Sequence, residues 1–235
     1  MDQLPAFTVR ENPRAKRILL KVSLHHGLVV VIPRGFSRKG VLEIIQEKRA
    51  WIERAFRKLE QQAPLPVEPR ELPTAVHLAA ISQDFTIEYT PAPTTPLVLY
   101  QITPVLFRIT GDCEDLEGCR HLLKHWLKYQ GRVHLLPWLH RLSEQVQLPY
   151  RQARIRGQKS LWGSCSVKGD INLNCNLLFL RPELVRYLLL HELCHTVHFN
   201  HSENFYQLLA ELEPDHLRLR AEMKQAWQQV PWWAL

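Results

Sequence analysis

Two periods of hydrophobic and polar positions alternate along the chain, and the switches between them predict an α+β fold. Residues 7–10, 17–24 and 28–32 alternate with a period of two and read as short strands, with His25-His26-Gly27 as the turn between the last two. Pro33-Arg34-Gly35 ends the strand, and Ser37 stands as the N-cap of a helix running through about residue 61. Its apolar positions are Val41, Leu42, Ile45, Trp51, Ile52, Phe56 and Leu59; Lys39, Lys48, Arg49, Arg54 and Lys58 lie on the other face. Pro64, Pro66, Pro69 and Pro73 mark a connector over residues 63–73. Residues 74–110, rich in Thr and Val, predict more short strands.

From residue 115 to about 147 the period becomes helical, with Gly131 and Pro137 predicting a break or kink. Strands return over residues 153–180. There Ile171, Leu173, Cys175 and Leu177 alternate with Asn172, Asn174 and Asn176, a strand with one apolar and one amide-rich face. Such a strand is either an ordinary solvated one or an edge beside a cleft. In the second case Asn172 and Asn174 are candidate substrate contacts for an extended peptide added as another strand. Pro182 and Glu183 suit the first turn of a helix whose apolar spacing continues through Leu184, Leu188, Leu189, Leu193 and Val197. Asn200 is placed to end that helix in the left-handed conformation, Ser202 to cap the next through about residue 212, and a last helix covers about 216–229. This organisation suggests a β-rich region with one helix over 1–110, able to pack into a single domain, and a catalytic region over 111–235.

Composition narrows the class. The 235 residues include 46% hydrophobic positions, enough for a core, but no apolar run approaches the length of a membrane span. The N-terminus lacks the basic start and apolar stretch of a signal peptide. Five cysteines, an odd number without Cys-x-x-Cys spacing, argue for free thiols in a reducing compartment, and so for a cytoplasmic protein. The net charge of +7 resides wholly in residues 1–60, where 13 Lys and Arg meet 6 Asp and Glu; the remainder has 17 of each. That asymmetry suits nucleic acid as an anionic partner and equally suits a solvated helix face.

The chemistry concentrates in His191-Glu192-Leu193-Cys194-His195, followed by His201. Residues four apart share one face of a helix, so His191 and His195 can meet one ion, and Glu192 can reach a water beside it. A turn near Asn200 would bring His201 to the pair as third ligand; His198, three residues after His195, is the competing choice. Three neutral imidazoles leave zinc an open position, the mark of a catalytic rather than a structural site. Cys194 points away from the histidine face and reads as a small core residue. Tyr206, His198, Lys159 and Arg156 are candidates for stabilising an oxyanion.

The run from Arg156 to Ser166 (with Ser160-Leu161-Trp162-Gly163-Ser164-Cys165), then Lys168-Gly169, Ile171-Asn172-Leu173-Asn174, the histidine motif and Asn200-His201-Ser202, resembles the YgjP-like metallopeptidases, relatives of the SprT and WLM groups. The N-terminal strands, Pro33-Arg34-Gly35 and the helix through Trp51-Ile52 extend the resemblance over most of the chain. It implies a zincin-like catalytic unit with a helix-turn active-site segment, zinc on His191, His195 and His201, Glu192 as the catalytic base, and a peptide or protein substrate. Some relatives act on DNA-bound proteins. Leu161 departs from the family, which commonly has Arg there, as do Tyr206 in place of Trp and Cys194 in place of Ala. Two other functions fit the same residues: a zinc-stabilised nucleic-acid-binding module, in which Glu192 would have no task, and a metal hydrolase of non-peptide amides.

Overall fold

The computed structural model describes residues 7–12, 17–23, 27–33, 35–36, 38–61 and 71–235. The fold is α+β, as the periodicities predict, and the chain divides into two compact units at Arg70 and Glu71. The division thus falls at the proline-rich connector, not after residue 110, and the strands of 75–111 share the hydrophobic core of the second unit.

In the first unit, strands β1 (Phe7–Glu11), β2 (Leu19–Ser23) and β3 (Gly27–Ile32) form a sheet in the order β1-β3-β2, parallel on one side of β3 and antiparallel on the other. Alternation along β3 buries Leu28, Val30 and Ile32, and Val41, Ile45 and Ile52 join them from helices α1 (Arg38–Glu47) and α2 (Arg49–Gln61). Only Lys48 separates the two helices, and helical bonding continues through it: its N–H donates to Ile44 and its carbonyl accepts from Ile52, both at 2.9 Å. Leu42 and Trp51, expected in the core, are exposed. Lys48 and Arg49 of the basic face pair with Glu47 at 2.7 Å and Glu53 at 2.9 Å. His25, His26 and Ser37 lie outside the described residues.

The second unit begins with a four-stranded sheet in the order β4-β5-β7-β6, from β4 (Ala75–Leu78), β5 (Gln83–Pro91), β6 (Val98–Gln101) and β7 (Leu106–Gly111). Helix α3 (Leu116–Val146) follows, capped by Asp115, whose carboxylate accepts from the Gly118 N–H at 2.9 Å. No break occurs, and α3 is one helix through both Gly131 and Pro137. Gly131 is there for packing: a Cβ on it would stand 3.0 Å from Ile155 Cγ2 and 3.6 Å from Cys175 Cβ. Trp126 anchors α3 to the sheet through edge-on contacts with Phe85 and Phe107 at 5.2 and 5.5 Å.

A second sheet has the order β8-β10-β9, from β8 (Gln152–Arg156), β9 (Gly163–Cys165) and β10 (Asp170–Asn174). The asparagine-bearing strand is therefore central, parallel to β8 and antiparallel to β9, and has no free edge to offer a peptide. It also ends at Asn174, not Leu177. The Asn174 side-chain oxygen accepts from the Asn176 N–H at 3.0 Å, a local turn that competes with the ladder, and residues Cys175–Phe179 form a 3₁₀ helix. Helix α4 (Pro182–Cys194) follows, with Pro182 in its first turn and Leu184, Val185, Leu188, Leu189, Leu190, Leu193 and Cys194 buried. A helix apolar around most of its circumference belongs in a core, and its polar residues are correspondingly few. Helices α5 (Glu203–Leu212) and α6 (His216–Met223) complete the unit. All five cysteines are free, and among the described residues no helix is long and apolar enough to cross a membrane.

Candidate metal centre

The C-terminal end of α4 supplies His191 and His195, one turn apart. The helix stops at Cys194, earlier than the apolar spacing suggests, because a local turn takes over its last carbonyls. Thr196 Oγ1 donates to the Leu193 carbonyl at 2.8 Å and the His198 N–H to that of Cys194 at 2.9 Å. Val197 is consequently exposed, and Asn200 is not among the residues with positive φ. The chain still turns back, and Ser202 begins α5 without a side-chain capping bond. One nitrogen each from His191, His195 and His201 then lies within 4.8 Å of the others, with His191 Nε2 and His201 Nε2 3.1 Å apart.

His198 takes a different part from the one its position suggested. Its backbone carbonyl oxygen lies 2.9 Å from His195 Nδ1, a bond that requires the proton on Nδ1 and leaves Nε2 unprotonated, with a lone pair available to a cation. Burial, then the neighbours His195, His201 and Arg220, push His191 down to about 3; burial, His195 and Arg220 also lower His201. Rings held neutral in this way suit a cation, since a ligand imidazole must be unprotonated. Three nitrogens around a tetrahedral zinc are spaced about 3.3 Å, given metal–nitrogen bonds of about 2.0–2.1 Å, so a small closure of this cluster fits the ion.

Phe205, fully buried in the first turns of α5, backs the whole group. Its ring stacks on His195 at 4.5 Å and meets His191 and His201 edge-on at 5.0 and 4.9 Å. Phe205→Ala would open a cavity behind all three rings. A loss of about 3–5 kcal/mol is expected for such a truncation, read as an earlier midpoint in denaturant, and a fall of less than 1 kcal/mol would contradict this packing role.

Glu192 is only 4% exposed, its Oε2 is buried without a hydrogen-bond partner, and burial pushes it up to about 8. β9, the edge strand that β10 is not, passes over this carboxylate. An ideal Cβ on Gly163 would stand 2.5 Å from Glu192 Oε1, 2.8 Å from Cδ and 2.9 Å from Cγ. The glycine of Trp162-Gly163-Ser164 is thus required by the glutamate.

Asn174, expected at the substrate, is fully buried. Its amide donates to the Gln158 and Leu161 carbonyls, both at 2.8 Å, and so holds the loop that delivers Trp162 and Gly163. Asn172 spans the sheet, accepting from Arg156 Nε at 3.2 Å and donating to Ser164 Oγ at 3.3 Å. Those bonds also occupy Arg156, one of the oxyanion candidates. Of the others, Tyr206 stacks on His201 at 6.1 Å. Cys194 is fully buried, as a core residue should be.

A cavity of about 320 Å³ adjoins His191 and Glu192, walled by Leu161, Trp162, Tyr187 and Leu188 and by Arg220, Met223, Lys224 and Trp227 from the C-terminal segment. The Arg220, Lys224 and Trp227 contributions had no local signal, because nothing in their own spacing ties that segment to the histidine motif.

The family model described as "YgjP-like, metallopeptidase domain" matches residues 16–226. No curated protein and no solved structure matches the chain.

Proposed function

The chain belongs to the YgjP-like metallopeptidase family, and from that premise we propose a zinc-dependent peptidase in which His191, His195 and His201 hold the metal and Glu192 moves the proton. One observation carries this reading: three histidine nitrogens within 4.8 Å of one another stand beside a buried glutamate whose Oε2 has no hydrogen-bond partner. A buried acid without a hydrogen bond is costly, and a site serving only to brace the fold would have no use for it. Such perturbed groups mark places where chemistry is done.

When bound, zinc supplies a Lewis acid that polarises a carbonyl and lowers the pKa of water towards about 7. The chain's own residues do the rest. Glu192, held against β9, accepts a proton from the attacking water and returns it to the leaving amine. Its apolar enclosure keeps its basicity near neutrality, the range in which a group can both take and give a proton. His195 is fixed by the His198 carbonyl, and Phe205 prevents the three rings from rotating away. The outer edge of β9 is placed to pair with the main chain of an extended substrate, which would make cleavage tolerant of side chains along that stretch. A helix bearing the histidine pair beneath a small sheet, with an edge strand over the glutamate, supports a zincin-like arrangement.

Metal analysis with a peptidase assay tests the proposal. The full chain should contain about one zinc, lose peptide hydrolysis on chelation and regain it with added zinc. His191→Ala or His195→Ala should abolish stoichiometric zinc, and His201→Ala should weaken it strongly. His198→Ala should change it little, because that residue acts through a backbone carbonyl the substitution preserves. Zinc lost from His198→Ala but kept by His201→Ala would refute this ligand set.

A further inference from the structure

The cavity beside the histidine cluster has a distinctive chemistry. Its walls are mainly apolar, from Leu161, Leu188, Met223 and the stacked pair Trp162–Trp227, whose rings lie 4.0 Å apart and 20° from parallel. Two cations, Arg220 in the last turn of α6 and Lys224 just after it, line the cavity, and the only acid among its lining residues is the inward-buried Glu192. Among the described residues neither cation makes an ion pair. The neighbouring Arg218 is saturated by contrast, bonded to Glu222 at 2.8 Å and also to Asp215. The Arg220 guanidinium instead lies 5.1 Å over the Tyr206 ring, which stacks in turn on His201 at 6.1 Å. One aromatic layer therefore lies between the Arg220 guanidinium and His201.

Solvent-exposed guanidinium and ammonium groups without a carboxylate partner among the described residues, beside an apolar floor, match a ligand with a short hydrocarbon body and an anionic end. The planar fork of Arg220 favours a carboxylate, which it can bind through two parallel hydrogen bonds. A volume near the lower limit of small-molecule pockets admits about one side chain. We propose that this cavity is a specificity subsite for a substrate carboxylate, supplied by a glutamate or aspartate side chain near the scissile bond or by the free C-terminus of the peptide, with Arg220 and Lys224 as the residues that select it. The proposal rests on the peptidase reading and adds the substrate class that this site prefers.

The test uses the zinc-loaded full chain and peptides identical except at one position, which carries Glu, Gln or Lys and moves stepwise past the central bond. Each peptide is made with a free and with an amidated C-terminus. In one register, Glu should exceed Gln in kcat/KM by about tenfold, the scale of one charged hydrogen-bonded contact, and mainly through KM. If the C-terminus is the source, free acid should exceed amide by a similar factor in the Gln peptides. In Arg220→Gln and Lys224→Gln the acid-to-neutral ratio should fall towards one, and Arg220→Lys should restore part of it. A ratio near one in wild type at every position overturns the proposal. So does an Arg220→Gln variant that slows acidic and neutral peptides equally, because Arg220 would then serve every substrate at the metal. The same peptides titrated into zinc-loaded Glu192→Gln, followed by fluorescence of the Trp162–Trp227 pair, separate the two readings. Acid-selective, Arg220-dependent binding without any wild-type turnover would uphold the subsite and defeat the peptidase; turnover without acid preference would do the reverse.

Discussion

Glu192→Gln should leave zinc content and folding intact while peptide hydrolysis falls at least about 100-fold, the usual contribution of a positioned general base. Gln reproduces the volume of Glu, so the contact with Gly163 survives, and it removes the only carboxylate among the residues lining the cavity beside the histidines. Stability gives an independent reading. Burial raises the Glu192 carboxyl to about 8 in the fold, against about 4.3 for an unperturbed glutamate. Between those values the metal-free folded chain holds a proton that the unfolded chain has released. Stability of the chelated wild type should therefore fall as pH rises through that window, and chelated Glu192→Gln should lack that component. Equal hydrolysis by wild type and Glu192→Gln, on any peptide that is cleaved, would remove Glu192 from the mechanism.

The parts of this molecule that were legible in the sequence are those encoded locally. Helix α4 announces itself through Pro182 and its leucines, α5 has the bounds expected from Ser202, and the i, i+4 histidines converge because helical geometry leaves them no alternative. What was misread depends on partners distant in sequence. Alternation in β10 cannot say whether a strand is central or at an edge, and Asn172 and Asn174 look solvent-facing until β9 and the 158–161 loop are seen to use their amides. Gly131 resembles a helix breaker until Ile155 and Cys175 are found against it. His198 sits within reach of the ligand face by spacing, yet the turn after Cys194 turns its carbonyl, and not its ring, towards His195.

Gly163→Ala is expected to silence the site without emptying it. The added methyl would overlap the Glu192 side chain at 2.5–2.9 Å, and the overlap reaches Cγ as well as the terminal oxygen, so rotation of the carboxylate alone cannot relieve it. Glu192 is almost fully buried, and the open space beside it is the cavity it shares with His191, so any retreat moves the carboxylate out of its present place. Either β9 lifts from α4 or the carboxylate is displaced from its place beside the histidines. A misplacement of about 1 Å at a reacting group costs on the order of 100-fold in rate, and overfilling a packed interior costs about 1–3 kcal/mol. The three atoms nearest the new methyl all belong to Glu192, so zinc should remain near stoichiometric. The double variant Gly163→Ala/Glu192→Gln should be hardly slower than Glu192→Gln alone, because both changes act through the same carboxylate. Elemental analysis, a thermal melt and hydrolysis rates on the four proteins of this cycle measure all three effects. Gly163→Ala with full activity would show that the strand and the glutamate are not in the tight contact on which this catalytic arrangement depends.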